Sequence, residues 1–310
     1  MKKRWKLWLV LIGAGLFIAL NVAAYCHAWR MTHFVSAGTK TRPVAAMSAV
    51  EKLVVLGSGV TVPKCVNSST LKLPSRMVSL TTRDGVRLEA QEVPAANGRG
   101  TVILFHGYGT GKSVLHGETE VWHALGYRCL LVDFRGSGGS DGMVTTLGWR
   151  EALDVQAAAA WVGEPAILYG QSMGAAAVLR AVAVEGVKPA GIVVEAPFDR
   201  LVTTVGHRYE TMRLPSWPLA QVLTFWGGRQ QGFNAFDLNP VEYARAVQCP
   251  ALVLQGAEDP WVKVPAARAV ADAMNGHGTL HVFAGVGHCA YVWEKPAEYR
   301  QVVSGWLAKW

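Results

Sequence analysis

Among its five cysteines (Cys26, Cys65, Cys129, Cys249 and Cys289) the chain has no C-x-x-C pair and no metal-ligand spacing, so neither a zinc site nor a thioredoxin-like redox pair is expected. Dense positive charge is also scarce. The formal charge is +8, but Lys2, Lys3, Arg4 and Lys6 supply four of the 30 basic residues ahead of the first apolar run. No Lys/Arg tract interleaved with aromatics follows, which argues against a nucleic-acid partner. The glycine-rich run Asp133 to Gly142 lacks the G-K-[ST] ending of a phosphate loop and the G-x-G-x-x-G order of a dinucleotide turn. It reads as a shaped turn braced by Asp133 and Arg135. Internal repeats and low-complexity tracts are missing as well. What remains is an apolar chain: 51% of the 310 residues are hydrophobic and the 33 glycines fall mostly between apolar runs, as in a packed protein with a single large core.

Leu7 to Tyr25 is a run of 19 residues without a charge, roughly 28 Å long as a helix, enough to cross a hydrocarbon core. Cations are dense before it and sparse after it (Arg30, Lys40, Arg42), which predicts a cytoplasmic N-terminus and an extracytoplasmic remainder, periplasmic if the cell is bacterial. Residues 1–25 therefore read as a transmembrane anchor. The competing reading is a signal segment cut after Val22-Ala23-Ala24, leaving an exported protein. A lipidated Cys26 is disfavoured by the bulky Tyr25 before it. Residues 26–76 read as a connector that spaces the domain from the membrane, with an amphipathic stretch near Ala46 to Leu56 and turns at Gly57-Ser58-Gly59 and Pro63.

From Met77 the pattern changes. Alternating runs on either side of Arg83-Asp84-Gly85 predict a β-hairpin. Apolar runs at 101–105, 127–132, 166–169, 191–194, 251–254 and 279–283 then alternate with helix-length segments near 112–125, 148–162, 173–185, 264–275 and 294–309. Runs that are apolar throughout suit strands covered on both faces. The expected fold is α/β: an eight-stranded, mostly parallel sheet with helices on both faces, over residues 77–310.

The run Ala166 to Tyr169 leads into Gly170-Gln171-Ser172-Met173-Gly174 and then an alanine-rich segment, the strand, sharp turn and helix that a G-x-S-x-G nucleophile requires. A serine hydroxyl needs a base to take its proton and an acid to orient that base. Of nine histidines, His288 in Gly285-Val286-Gly287-His288 follows the last expected strand; His27, His33, His116, His123 and His207 lack such a context and read as surface or packing residues. The preferred acid is Asp259, in the loop after 251–254, with Glu258 and Glu195 as rivals. Phe105-His106-Gly107-Tyr108-Gly109 ends another strand. The backbone N–H groups of Tyr108 and Met173 are the candidate oxyanion donors, and His106 reads as a side chain that orients this loop.

These motifs in this order resemble the α/β-hydrolase superfamily over about residues 77 to 310, most closely its monoglyceride-lipase and serine-aminopeptidase-like branch. The resemblance rests on His106-Gly107, the Asp133 to Gly142 turn, the Ser172 elbow, Gly256 to Asp259 and Gly287-His288. It implies a triad of Ser172, Asp259 and His288, with no metal or organic cofactor. It also implies a small cap at about residues 198–246, where Leu214, Trp217, Leu219, Leu223, Phe225, Trp226, Phe233 and Phe236 give an apolar cover. The expected activity is hydrolysis of carboxylic esters with hydrophobic acyl groups, on a small lipid-like substrate met at a membrane. One alternative is an aminopeptidase-like serine peptidase, for which Glu210, Asp237 or Glu242 has to anchor an amine. Another is an inactive membrane-tethered binding protein.

Overall fold

In a computed structural model, residues 4–42, 46–95 and 98–309 are described. Lys2 and Lys3, half of the basic N-terminal flank, lie outside the described residues.

Eight strands form one sheet: β1 (Arg76–Thr81), β2 (Arg87–Val93), β3 (Thr101–Phe105), β4 (Arg128–Val132), β5 (Ile167–Gln171), β6 (Gly191–Glu195), β7 (Ala251–Gly256) and β8 (Gly278–Phe283). Their spatial order is β1-β2-β4-β3-β5-β6-β7-β8. The β1–β2 and β2–β4 pairings are antiparallel and the remaining five are parallel. The continuous apolar runs have a direct physical cause, visible in β3. Ile103 and Phe105 pack into one core layer while Val102 and Leu104 pack into the other, so neither face can be polar.

The helices are α1 (Arg4–Thr32), α2 (Ala49–Ser58), α3 (His116–Ala124), α4 (Glu151–Val162), α5 (Met173–Val184), α6 (Leu201–Thr211), α7 (Leu219–Gln231), α8 (Pro240–Tyr243), α9 (Val264–Ala273), α10 (Tyr291–Glu294) and α11 (Pro296–Leu307). Helices α4, α5 and α9 cover one face of the sheet through Val155, Val178 and Val270. The other face is covered by α3, α10 and α11 through Trp122, Tyr291, Val303 and Trp306. A third apolar cluster joins α6 and α7 to Ala28 of α1.

Helix α1 has two halves. Residues 5–19 are exposed on every side, and the stretch Trp5–Thr32 has a mean hydropathy of 2.3 in its most apolar window. Beyond Leu20 the helix buries a stripe of Ala24, Ala28 and Thr32 against α7. These small residues recur every four positions, the spacing that lets two helix backbones approach closely. Among the described residues that follow α1, several contact the domain. Phe34 is buried, Lys64 Nζ donates to the carbonyl of Ser140 at 2.6 Å, and Asn67 Nδ2 donates to Asp133 Oδ2 at 2.8 Å.

Candidate active site

Ser172 stands between β5 and α5 with φ 52° and ψ −106°, a left-handed conformation that costs a non-glycine residue about 1–3 kcal/mol and is sustained by its surroundings. Its N–H donates to the Glu195 carbonyl at 2.7 Å. Both flanking glycines are required by close approach. A Cβ on Gly170 would lie 2.5 Å from the Gly174 carbonyl oxygen, and one on Gly174 would lie 2.6 Å from that of Phe105. The strand, the helix and the end of β3 thus meet too tightly for any side chain, and the turn is held with Ser172 at the C-terminal edge of the sheet.

The loop after β3 is fixed by His106. Its Nε2 accepts from the Phe134 N–H at 3.1 Å, which leaves Nδ1 to donate to the Gly107 carbonyl at 2.7 Å. Burial pushes the His106 imidazole below its ordinary range, so it stays neutral in this role. A Cβ on Gly107 would sit 3.7 Å from the Ser172 Cβ, which places this loop beside the serine. Tyr108 follows, and its phenol donates to the Met31 carbonyl in the last turn of α1 at 2.6 Å. Burial raises that phenol to about 12, so it remains a neutral donor.

Asp259 and His288 leave the ends of β7 and β8 and meet there: the distance from His288 Nδ1 to Asp259 Oδ2 is 2.6 Å. The other carboxylate oxygen, Oδ1, accepts the N–H groups of Trp261 and Val262, each at 2.9 Å. Burial acts to raise the Asp259 carboxyl, but the hydrogen bond and charge of His288 and the two amides outweigh it and hold the group below its ordinary range. The Trp261 ring lies 5.0 Å from that of His288, and the Arg208 guanidinium of α6 sits 4.7 Å above the same indole.

The rival acids are placed elsewhere. Glu258 is exposed. Glu195 is buried and accepts from the Tyr169 hydroxyl at 2.7 Å and from Gln171 Nε2 at 3.0 Å. Burial raises its carboxyl to about 6. Of the three acids that an amine-binding site needs, Glu210 is exposed, Asp237 accepts from Asn234, and Glu242 pairs with Arg200 and Arg245. The charged cap residue beside the Asp259–His288 pair is a cation, Arg208.

Asp133 accepts from Lys112 Nζ at 2.6 Å and from the Gly139 N–H at 3.0 Å, while Arg135 is shared between Asp84 and Asp154 at 2.7 Å each. Both residues brace the glycine-rich turn, where Asp133, Asp84 and Asp154 are each paired with a cation. Between α1 and the cap runs a narrow cleft with about 30 Å³ open to a water molecule. Its apolar wall includes Ala28, Met31, Leu147, Leu201, Leu223 and Gly227. The loop carrying Leu147 touches the elbow, since Thr145 Oγ1 lies 3.4 Å from Met173 Sδ.

A sequence model of the alpha/beta hydrolase family matches residues 102–302. The chain belongs to the α/β-hydrolase family. Over 234 residues it is 30% identical to an uncharacterized protein of Mycobacterium tuberculosis, covering 72% of this hydrolase and 76% of that protein. It is 23% identical to the uncharacterized protein YqkD of Bacillus subtilis over 67% of this chain and 70% of that one. Among solved structures, the esterase Pf2001 of Pyrococcus furiosus superposes with a TM-score of 0.67 at 25% identity, over 80% of this hydrolase and 97% of that chain. An esterase of Exiguobacterium antarcticum, 15% identical, shares the fold with a TM-score of 0.59 over 75% and 100% of the two chains.

Several site neighbours of this hydrolase carry no motif. Trp261 and Arg208 become legible only when the cap is folded over β7 and β8. The contribution of α1 does have a signal, the four-residue spacing of Ala24, Ala28 and Thr32, which a purely lipid-facing helix has no need to keep.

Proposed function

We propose that this α/β hydrolase is a serine esterase that cleaves carboxylic esters of hydrophobic acyl groups through an acyl-enzyme on Ser172. The observation that carries the reading is the 2.6 Å Asp259–His288 pair at the same sheet edge as the strained Ser172 turn. With Nδ1 held by Asp259, His288 Nε2 is the nitrogen free to take the Ser172 proton. The serine oxygen adds to the ester carbonyl, the Tyr108 and Met173 amides stabilise the oxyanion, and the imidazolium returns the proton to the departing alkoxide. Water, deprotonated by the same imidazole, then releases the acid and restores the serine. The apolar lining of the cleft, rather than its width, favours an acyl chain over a polar group. Beside the site, Arg208 disfavours a substrate ammonium group, which favours the ester reading over the peptidase one. The packing of Ala24, Ala28 and Thr32 on α7 supports an uncleaved anchor, and the cations ahead of the apolar run support an extracytoplasmic hydrolase domain.

A fluorophosphonate probe tests the nucleophile. Wild type should be labelled and Ser172→Ala should not; an unlabelled wild type, or a labelled Ser172→Ala, sinks the reading. Acyl p-nitrophenyl esters should be cleaved faster than aminoacyl amides, and the reverse order would favour a peptidase.

A further inference from the structure

The anchor and the folded domain overlap along α1. From Trp5 to Tyr25 the helix rises by 20 residue steps, or about 30 Å, which matches the thickness of a hydrocarbon core. Trp5 and Trp8 stand at one end of that length, Tyr25 and Trp29 at the other, all four exposed, as aromatic residues do at the two membrane interfaces. Contact with the domain begins before the outer pair. Trp226 Nε1 of α7 donates to Asn21 Oδ1 at 3.0 Å, and the Trp226 ring packs edge-on against Tyr25 at 5.3 Å. A domain held above the membrane would first touch α1 beyond Tyr25.

Two helices extend this overlap. Asn21 pairs with Trp226 and Tyr25 with Gln230, so α1 and α7 run side by side in the same direction. The start of α7, with Trp217 in the turn before it, therefore lies toward the exposed half of α1, and Phe225 at the middle of α7 adjoins Trp226. Phe225 and Trp217 are 50% and 73% exposed. Helix α2 ends against the same stretch of α1: a Cβ on Gly59 would meet His27 Cα at 2.8 Å and Arg30 Cβ at 2.9 Å. A capping box of Ser48 and Glu51 fixes the α2 start, and Val55 is turned inward. Val50, Leu53 and Val54, on one face at helical spacing, are turned out, with Leu53 68% exposed. An outward apolar stripe on a well-capped helix calls for a cover.

We propose that the catalytic domain is docked into the bilayer that α1 crosses, through a rim made of Trp217 and Phe225 on the cap and Val50, Leu53 and Val54 on α2. The occupant of this rim is lipid, because it continues the apolar surface of the anchor at the depth where the anchor leaves the hydrocarbon. The inference rests on the anchor reading above. It adds that an ester in the same leaflet reaches the cleft along α1 without crossing water.

The test uses the full chain in phosphatidylcholine vesicles containing a phospholipid with a diazirine on its acyl chain, with adducts mapped by mass spectrometry after illumination. Adducts on residues 5–20 together with Trp217, Phe225 and residues 50–54 are expected. Adducts confined to α1 in membrane-embedded protein overturn the docking and leave the anchor standing. Protein in the soluble fraction with α1 unlabelled overturns both. A second arm uses Leu53→Asp and Phe225→Asp, surface changes outside the cleft. Hydrolysis of a soluble short-chain ester should match wild type, while a long-chain ester carried in vesicles should be cleaved about tenfold more slowly for want of interfacial insertion. Equal loss on both esters, or on neither, overturns the proposal.

Discussion

At the residue scale, the question is which carboxylate serves His288, and it has a numerical answer in kinetics. Asp259→Asn keeps the shape but reverses the hydrogen bond to His288 Nδ1, so the imidazole settles in the wrong tautomer and kcat should fall by about 10⁴-fold. Glu195→Gln should leave ester hydrolysis within a few-fold of wild type; a loss as large as that of Asp259→Asn would exchange their roles. Glu195 also makes a pH prediction. Its buried carboxyl is raised to about 6, whereas in the unfolded chain it loses its proton near the ordinary 4.5. Between these values the folded state holds a proton that the unfolded state has released, so stability falls as pH rises through the window. Glu195→Gln removes that loss, and thermal melting should show a larger gain over wild type at pH 8 than at pH 4. The motif residues were legible because each sits at a strand end, where a continuous apolar run stops abruptly. The choice among Glu195, Glu258 and Asp259 was not, since all three lie near strand ends and only packing of the loop separates them.

At the element scale, the sheet was the most legible part, because strands buried on both faces leave uninterrupted apolar runs. Their ends were less so. Strands β6 and β7 run on to Glu195 and Gly256, where polar residues continue the ladder. The elbow makes a sharp structural prediction. Gly174→Val would place two methyl groups against the Phe105 carbonyl and should destabilise by roughly 1–3 kcal/mol or more, seen as a lowered Tm. Gly227 offers the opposite case. A Cβ there meets nothing within 4 Å, and the position lines the cleft. Gly227→Leu should keep or raise Tm, since leucine favours a helix over glycine by up to about 1 kcal/mol. It should also cut kcat/KM for long-chain esters about tenfold while sparing acetate esters, a filled methylene-sized pocket costing about that much discrimination. A uniform change across chain lengths would show that the acyl group binds elsewhere.

At the scale of the whole molecule, the division between anchor and domain does not follow the apolar run. Hydropathy reads Leu7 to Tyr25 as one segment, but packing splits α1 near Leu20, where α7 takes over one face. Removing residues 1–19 should therefore leave a folded hydrolase that still cleaves a soluble ester. Removing residues 1–34 takes away Ala24, Ala28 and Phe34 from the core, and circular dichroism with size exclusion should report unfolding or aggregation. Acid stability is another property of the assembled molecule. The Arg135 guanidinium, joining the β1–β2 turn to α4, holds the Asp84 carboxyl down to about 2. That contribution is complete above about pH 4 and is lost as pH falls toward 2, so Asp84→Asn should flatten the acid limb of Tm against pH.

The pairing of Asn21 with Trp226 spans 205 residues. At about 5–20 residues per second of synthesis, the Ala24, Ala28 and Thr32 stripe waits about 10 to 40 s for its partner helix to be made. During that interval the stripe on α1 has no helix to cover it, and closure of α7 onto α1 joins two segments made well apart in time.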